Sequence, residues 1–440
     1  MSAAELISIL VLAVIFVIAT TRPVNMGLLA FAAAFLVGTI FADMSADDIF
    51  AGFPGDLFVV IVGITFLFGI ANVNGTIDWL VRLAVHAVGG RVAAIPWVMF
   101  AITGLLTAIG AVSPGAVAIV APVALVCAAQ HNISPLLMGV MVVHGAQAGG
   151  FSPISVYGTI VHGVVADNNL PEDRVFLFAA SLAVNLAIAS VVYVAFGGLK
   201  LLKREPVSAT APVRRRAGVS GRPRIAGGAP EADAAVVGPL GRPTGYQALT
   251  LTALVALVTL TLTLDLDVGL LALTAGCLLA LVHTETGKEA MGQITWSVVL
   301  LVCGIVTYVG VLEELGTIEA VGKAVADIGA PLIAALLLCY IGAIVSAFAS
   351  SVGVLGALIP LAVPFLMSGD VNAVGFIAAF AIAATVVDVS PFSTNGALVL
   401  ANAQNVDRER FFKQLVVYGA VVTAVAPLVV WLLFIALGIG

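Results

Sequence analysis

Two stretches of this chain share a spelling that can do chemistry through the backbone. Ser152-Pro153-Ile154-Ser155-Val156-Tyr157-Gly158 and Ser390-Pro391-Phe392-Ser393-Thr394-Asn395-Gly396 both read Ser-Pro-x-Ser-x-x-Gly. Proline stops an incoming helix and fits the first turn of the next. In apolar surroundings such a break frees backbone N–H and C=O groups. Half-helix N-termini then turn positive dipole ends toward an anion, and freed carbonyls suit a cation. Ser152, Ser155, Ser390, Ser393, Thr394 and Asn395 add short polar side chains without bulk, and Gly158 and Gly396 close each motif. A second pair of tips, Ser113-Pro114-Gly115 and Ser350-Ser351-Val352-Gly353, adds Ser113, Gly115, Ser350, Ser351 and Gly353 to the candidate binding residues.

Three larger polar side chains stand near the breaks. Asp388 lies two residues before Ser390 and is the only acid expected at mid-membrane depth. An ionisable group there is a functional candidate by default. His144 and Gln147 precede the first break, and with Asp388 they are the candidates for ion coupling. A bland alternative is helix packing, since Gly145-Ala146-Gln147-Ala148-Gly149 is a GxxxG pattern of the kind that lines membrane helix contacts. Two copies of one motif in one register favour a binding site over packing.

Other chemistries find little support. There is no GxxxxGK[ST] loop for ATP and no HExxH zinc motif. Ser152 and His144 are eight residues apart, roughly 12 Å along an unbroken helix, a poor geometry for an intramembrane hydrolase. Cys127, Cys277, Cys303 and Cys339 all lie in apolar segments without CxxC spacing and read as small core residues. The chain is therefore expected not to be an enzyme. It is expected to need no cofactor, with Na+ at the hairpin tips and helix breaks the one possibility, and to have no nucleic-acid partner.

The elements that must position these residues follow from composition and repetition. Of 440 residues, 61% are hydrophobic and 10% charged, against about a quarter charged in soluble domains. That marks a polytopic helical protein of the lipid bilayer. Gly27-Leu28-Leu29-Ala30 returns as Gly269-Leu270-Leu271-Ala272, and Gly75-Thr76-Ile77 as Gly316-Thr317-Ile318. With the tips and breaks, the offsets are 242, 241, 238 and 238. A repeat held in register across an apolar chain is the mark of a secondary transporter with its site at the repeat interface.

The predicted fold class is thus all-α, with two inverted-topology repeats. Each has five spans, a re-entrant hairpin and a broken helix. The first repeat is 1–203, a disordered basic linker 204–245, and the second repeat 246–440. Spans are expected near 5–21, 26–42, 57–73 and 175–199, with hairpin legs 95–111 and 113–129 and a broken span 135–166. The second half has spans near 246–264, 268–284, 296–312 and 412–438, legs 331–348 and 351–367, and a broken span 371–404. The first segment lacks the basic start and cleavage site of a signal peptide, and so reads as a span. Inverting the repeats puts 16 of the 18 Lys and Arg residues on one side, the exceptions being Arg174 and Lys323. The positive-inside rule makes that side cytoplasmic, with the linker there and both termini outside. The expected location is the plasma (inner) membrane.

Particular residues also resemble a family. Asn25-Met26-Gly27, Phe50-Ala51-Gly52-Phe53-Pro54, Asn74-Gly75-Thr76-Ile77-Asp78-Trp79, Ile95-Pro96-Trp97 and the run His144–Ser155 are similar to the malonate/dicarboxylate carriers of the MatC type. The paired hairpins and broken helices more distantly resemble the divalent-anion/sodium symporters of the ion transporter superfamily. Those symporters carry Ser-Asn-Thr at each tip, of which only Ser113 and Ser351 are present here. The resemblance implies a scaffold and a transport domain, elevator-like movement, commonly a homodimer, and cation-coupled (H+ or Na+) uptake of malonate or a C4-dicarboxylate. An ion or proton antiporter using Asp388 is the alternative.

Overall fold

The computed structural model describes residues 2–22, 24–87, 91–202, 241–264, 266–326, 330–348, 351–367, 369, 371–403 and 406–439. Ser350 and residues 204–240 of the expected linker lie outside the described residues.

The first half contains α1 (Ala3–Thr21), α2 (Met26–Phe41), α3 (Ala46–Ala51), α4 (Gly55–Val73), α5 (Thr76–Ala87), α6 (Ile95–Ala108), α7 (Ser113–Gln130), α8 (Pro135–Gly149), α9 (Val156–Asp167), α10 (Arg174–Ala195) and the short α11 (Gly198–Leu202). The second half contains α12 (Gly245–Leu264), α13 (Val268–Val282), α14 (Thr284–Met291), α15 (Trp296–Glu314), α16 (Thr317–Ala326), α17 (Pro331–Phe348), α18 (Ser351–Met367), α19 (Ala373–Val386), α20 (Thr394–Asn402) and α21 (Arg408–Trp431). Among the described residues there is no strand. Helices α1–α10 recur in order as α12–α21. The small α3, α11 and α14 are additions to the sequence reading, which saw only the longer apolar runs. Among the described residues, six helices, α4, α7, α10, α15, α17 and α21, are long and apolar enough to cross a membrane by length and composition.

Equivalent local chemistry ends equivalent helices. Asn25 caps α2, its side-chain oxygen accepting the Gly27 and Leu28 N–H groups at 2.9 and 3.3 Å. Asp267 caps α13 in the same way through Leu270 N–H at 2.7 Å. Gly75 (φ +75°) and Gly316 (φ +71°) follow α4 and α15 in the left-handed conformation that glycine adopts without strain.

The halves pack reciprocally. Helix α2 lies on α15 where Gly27 meets Gly304, and α13 lies on α4 where Gly269 meets Gly63. A Cβ on any of the four would run into the partner helix backbone, so close approach depends on glycine there. The Ser8 hydroxyl bonds Thr317 at 2.9 Å, and the Asn74 amide donates to Thr250 at 2.7 Å, joining each half's start to the other half's α5 or α16 region. By order along the chain, α1, α2, α4, α8–α9 and α10 of the first half match α12, α13, α15, α19–α20 and α21 of the second. Helices α8 and α19 are buried almost throughout and form the centre against which the hairpins α6–α7 and α17–α18 pack.

Candidate functional site

Each break is closed by its own serine. The Ser155 hydroxyl lies 2.5 Å from the Gly150 carbonyl and 2.7 Å from that of Ser152, and accepts the Gly158 N–H at 3.1 Å. The Ser393 hydroxyl lies 2.7 Å from the carbonyls of both Asp388 and Ser390, and accepts the Gly396 N–H at 3.4 Å. Ser152 donates to the Ala108 carbonyl, and Ser390 accepts the Phe392 N–H at 3.3 Å. Three of these hydroxyls thus serve the backbone of their own breaks, and that of Ser152 ties the first break to the end of α6. Gly158 and Gly396 sit directly under the carbonyls of Ser152 and Ser390, where a Cβ would collide.

The first tip meets the second break. Asn395 Nδ2 donates to the Asp388 carboxylate (Oδ2) at 2.8 Å and to Ser113 Oγ at 2.8 Å. Gln147 Nε2 approaches the same two atoms, at 3.2 and 3.4 Å. Ser113, Gln147, Asp388 and Asn395 therefore close a four-membered polar ring spanning 282 residues of sequence. All four are buried. The outer amide oxygens, Gln147 Oε1 and Asn395 Oδ1, are buried without a hydrogen-bond partner. Ser351, the counterpart of Ser113, bonds instead with Ser346 at 2.8 Å.

Beside the ring is a cavity of about 340 Å³ lined by both repeats. Pro114, Gly115, Ser351, Asp388 and Thr394 face it from the tips and second break, and Tyr157 from the first. Asn25, Met26, Thr295 and Ser297 face it from the α1–α2 and α14–α15 connections. Helix α7 begins here at Ser113 with no side chain capping its first turn, and α18 and α20 also begin at the cavity. Several positive helix ends thus converge on one space. Among the described residues, its lining includes no Lys, Arg or His. Gly353 does not itself line the cavity, but a Cβ there would meet Met26 and Leu301, which do.

His144 is fully buried elsewhere, among α8, α10 and α21. Its Nδ1 lies 2.9 Å from Asn185 Oδ1 and its Nε2 2.7 Å from the Tyr418 hydroxyl. Asn185 Nδ2 donates to the Ser181 carbonyl at 3.0 Å, which leaves its Oδ1 as acceptor. The consistent arrangement is a neutral imidazole that donates from Nδ1 and accepts the Tyr418 O–H at Nε2. Both ring nitrogens are occupied, away from the cavity.

The architecture can now be set beside other proteins. Residues 1–150 match the family model described as the N-terminus of the dicarboxylate carrier protein MatC. No curated protein matches the chain. Among solved structures, it is similar to the YdaH transporter of Alcanivorax borkumensis, a structure described as revealing an unusual topology. The TM-score is 0.59 at 14% identity, over 93% of this chain and 96% of that one. The likeness establishes that the two share a fold.

Sequence reading did not single out Tyr157, Asn25 or Ser297. Tyr157 had a signal, because it stands within the first Ser-Pro motif at the position of Asn395 in the second. Asn185 and Tyr418 had one too, as polar residues inside otherwise apolar spans. Asn25 donates to the Ser297 carbonyl at 2.8 Å, a pairing 272 residues apart that no local pattern announces.

Proposed function

We propose that the protein is a secondary transporter that takes up a small dicarboxylate, malonate or a C4 acid, together with a coupling cation. The observation that carries this reading is the cavity between the two tips, where helix N-termini of both repeats meet a buried carboxylate. Its volume falls at the lower end of the roughly 300–1,000 Å³ usual for small-molecule sites. The MatC match over residues 1–150 supports a dicarboxylate as the cargo.

Electrostatics supplies the need for a cation. A dicarboxylate brings two negative charges into a space whose lining, among the described residues, holds no basic side chain. Helix N-termini contribute about 0.3–1 kcal/mol each, up to roughly 2 in partly buried sites, while burying unpaired charge costs several kcal/mol. Asp388, when ionised, adds a third negative charge. A cation bound with the substrate offsets this deficit. Alternating access then moves the tips and breaks past α2, α4, α13 and α15 in an elevator-like manner, with the site carried between the two faces. We place the linker in the cytoplasm and both termini outside, on the 16-to-2 division of basic residues.

Uptake of labelled malonate and C4-dicarboxylates into proteoliposomes tests the reading. The expected result is accumulation driven by an inward sodium or proton gradient. Uptake that ignores both ions and carries two net negative charges per substrate would make the protein a uniporter or exchanger. Failure to move any dicarboxylate, with gradient-driven exchange of inorganic ions instead, would make it an antiporter.

A further inference from the structure

A dicarboxylate in the cavity needs hydrogen-bond donors, and several groups around it are already spent. The Asp388 carboxylate accepts the Asn395 backbone N–H in the first turn of α20, so an acid of the chain itself occupies that positive helix end. Pro114, in the first turn of α7, has no N–H. The Asn25 amide donates to the Ser297 carbonyl at 2.8 Å, and Ser351 pairs with Ser346 at 2.8 Å.

The first break holds a different group. Gly150 stands where the second break has Asp388, and Tyr157 where it has Asn395. The two exchanges belong together. A Cβ on Gly150 would lie 3.1 Å from Tyr157 Cδ2, so the ring takes the room that a side chain at 150 would need. The ring also packs on Phe151 with centroids 5.7 Å apart, and Tyr157 is buried, so its hydroxyl is held in one place. That place is beside Ser113 of the first tip, Ser351 of the second, and Gln147. Tyr157 also lines the cavity.

Counting donors and acceptors gives the hydroxyl a direction. An ionised Asp388 only accepts, so Asn395 and Gln147 turn their amide nitrogens to it, and the same nitrogens reach Ser113 Oγ at 2.8 and 3.4 Å. A serine oxygen has two lone pairs, and both are then filled. The Ser113 proton goes to another acceptor, and the Tyr157 oxygen stands beside it. Tyr157 thus receives from the tip and keeps its own proton for the cavity. A chain of this kind polarises each successive donor. Where no basic side chain lines the space among the described residues, a neutral donor so oriented attracts a carboxylate without burying a further charge.

We propose that Tyr157 is a substrate-binding residue, its hydroxyl donating to a carboxylate of the dicarboxylate held between the two tips. Each break then has its own task. The second supplies the buried acid, and the first supplies a donor for the anion.

This inference rests on the dicarboxylate reading, and the test separates the two. Binding of labelled malonate and succinate to the full chain in lipid nanodiscs is measured at one pH and in one salt. The wild type is compared with Tyr157→Phe and with a chain carrying 3-fluorotyrosine at position 157, whose phenol is the stronger acid and hence the stronger donor. Tyr157→Phe keeps the ring and should raise Kd about tenfold. The fluorinated chain should bind more tightly than wild type. Opposite changes follow from a direct bond to the substrate and not from a role in packing. Weaker binding by Tyr157→Phe with unchanged or weaker binding by the fluorinated chain would assign the hydroxyl to the fold and overturn the proposal. Wild-type binding by Tyr157→Phe would also overturn it. The fluorinated chain retains every side chain of the site, and decides alone where Tyr157→Phe yields no folded protein. A wild type that binds neither acid overturns the dicarboxylate reading itself, and the role of Tyr157 with it.

Discussion

The two helix breaks have the same backbone and different contents. In both, a serine hydroxyl five residues after one carbonyl and three after another bonds the pair, then caps the next helix through the glycine three residues on. Where the first break has Gly150, the second has Asp388, and where the first has Tyr157, the second has Asn395. Asymmetry extends to the tips. Ser113 joins Asn395 and Gln147, whereas Ser351 bonds its own hairpin neighbour Ser346. Duplication thus explains the scaffold, and the positions where the copies diverge hold the ionisable chemistry. The proposed site, built where the two copies meet, has no reason to use both copies alike.

The strongest way to break this comparison is to attack what the copies share. Gly158→Ala and Gly396→Ala each drive a methyl group into a buried carbonyl. Both should cost about 3 kcal/mol or more and sharply reduce folded protein on size exclusion. Gly115→Ala, with open space around its Cβ, should fold as wild type. If Gly115→Ala is the worse of the three, the shared role of the break glycines is wrong.

A smaller effect is expected at His144. His144→Phe strands the buried polar atoms of Asn185 and Tyr418, which should cost about 1–3 kcal/mol in denaturant or thermal unfolding. The sodium dependence of whatever folded protein remains should be that of wild type. A shift in sodium or proton dependence would return His144 to the coupling machinery.

The smallest effects concern the cap serines. Ser155→Ala and Ser393→Ala remove matched bonds, so each should lower stability by about 1 kcal/mol. Near-equal Tm losses sharpen the comparison. A loss confined to Ser393→Ala would mean that its hydroxyl serves the second break in some way the first does not share.

Much of this organisation is legible in the sequence, for a physical reason. Proline, glycine and capping residues act locally, so the break at Ser152-Pro153, its copy at Ser390-Pro391 and the tip at Ser113 announce themselves without tertiary context. Helices α3 and α14 do not, because six and eight residues make no apolar run. The serines of the breaks read as ligands because their type suits binding. In the fold, the same breaks that free carbonyls place a hydroxyl within reach of them, and that local bond claims it. The ring is legible only in its members. Asp388, Gln147 and Asn395 are visible one by one, but their meeting with Ser113 depends on how the two halves interlock. Likewise His144 finds Tyr418 274 residues away.

The coupling-cation dependence of malonate uptake into proteoliposomes, measured for Ser113→Ala beside Ser351→Ala, tests the divided roles of the two repeats most directly. Ser113→Ala, which takes a member from the ring that holds Asp388, should raise the cation concentration for half-maximal uptake about tenfold. Ser351→Ala, which borders the cavity, should change half-saturation by malonate more than by the cation. Equal cation shifts in the two variants, or a larger one in Ser351→Ala, would contradict ionisable chemistry held on one side of the duplication.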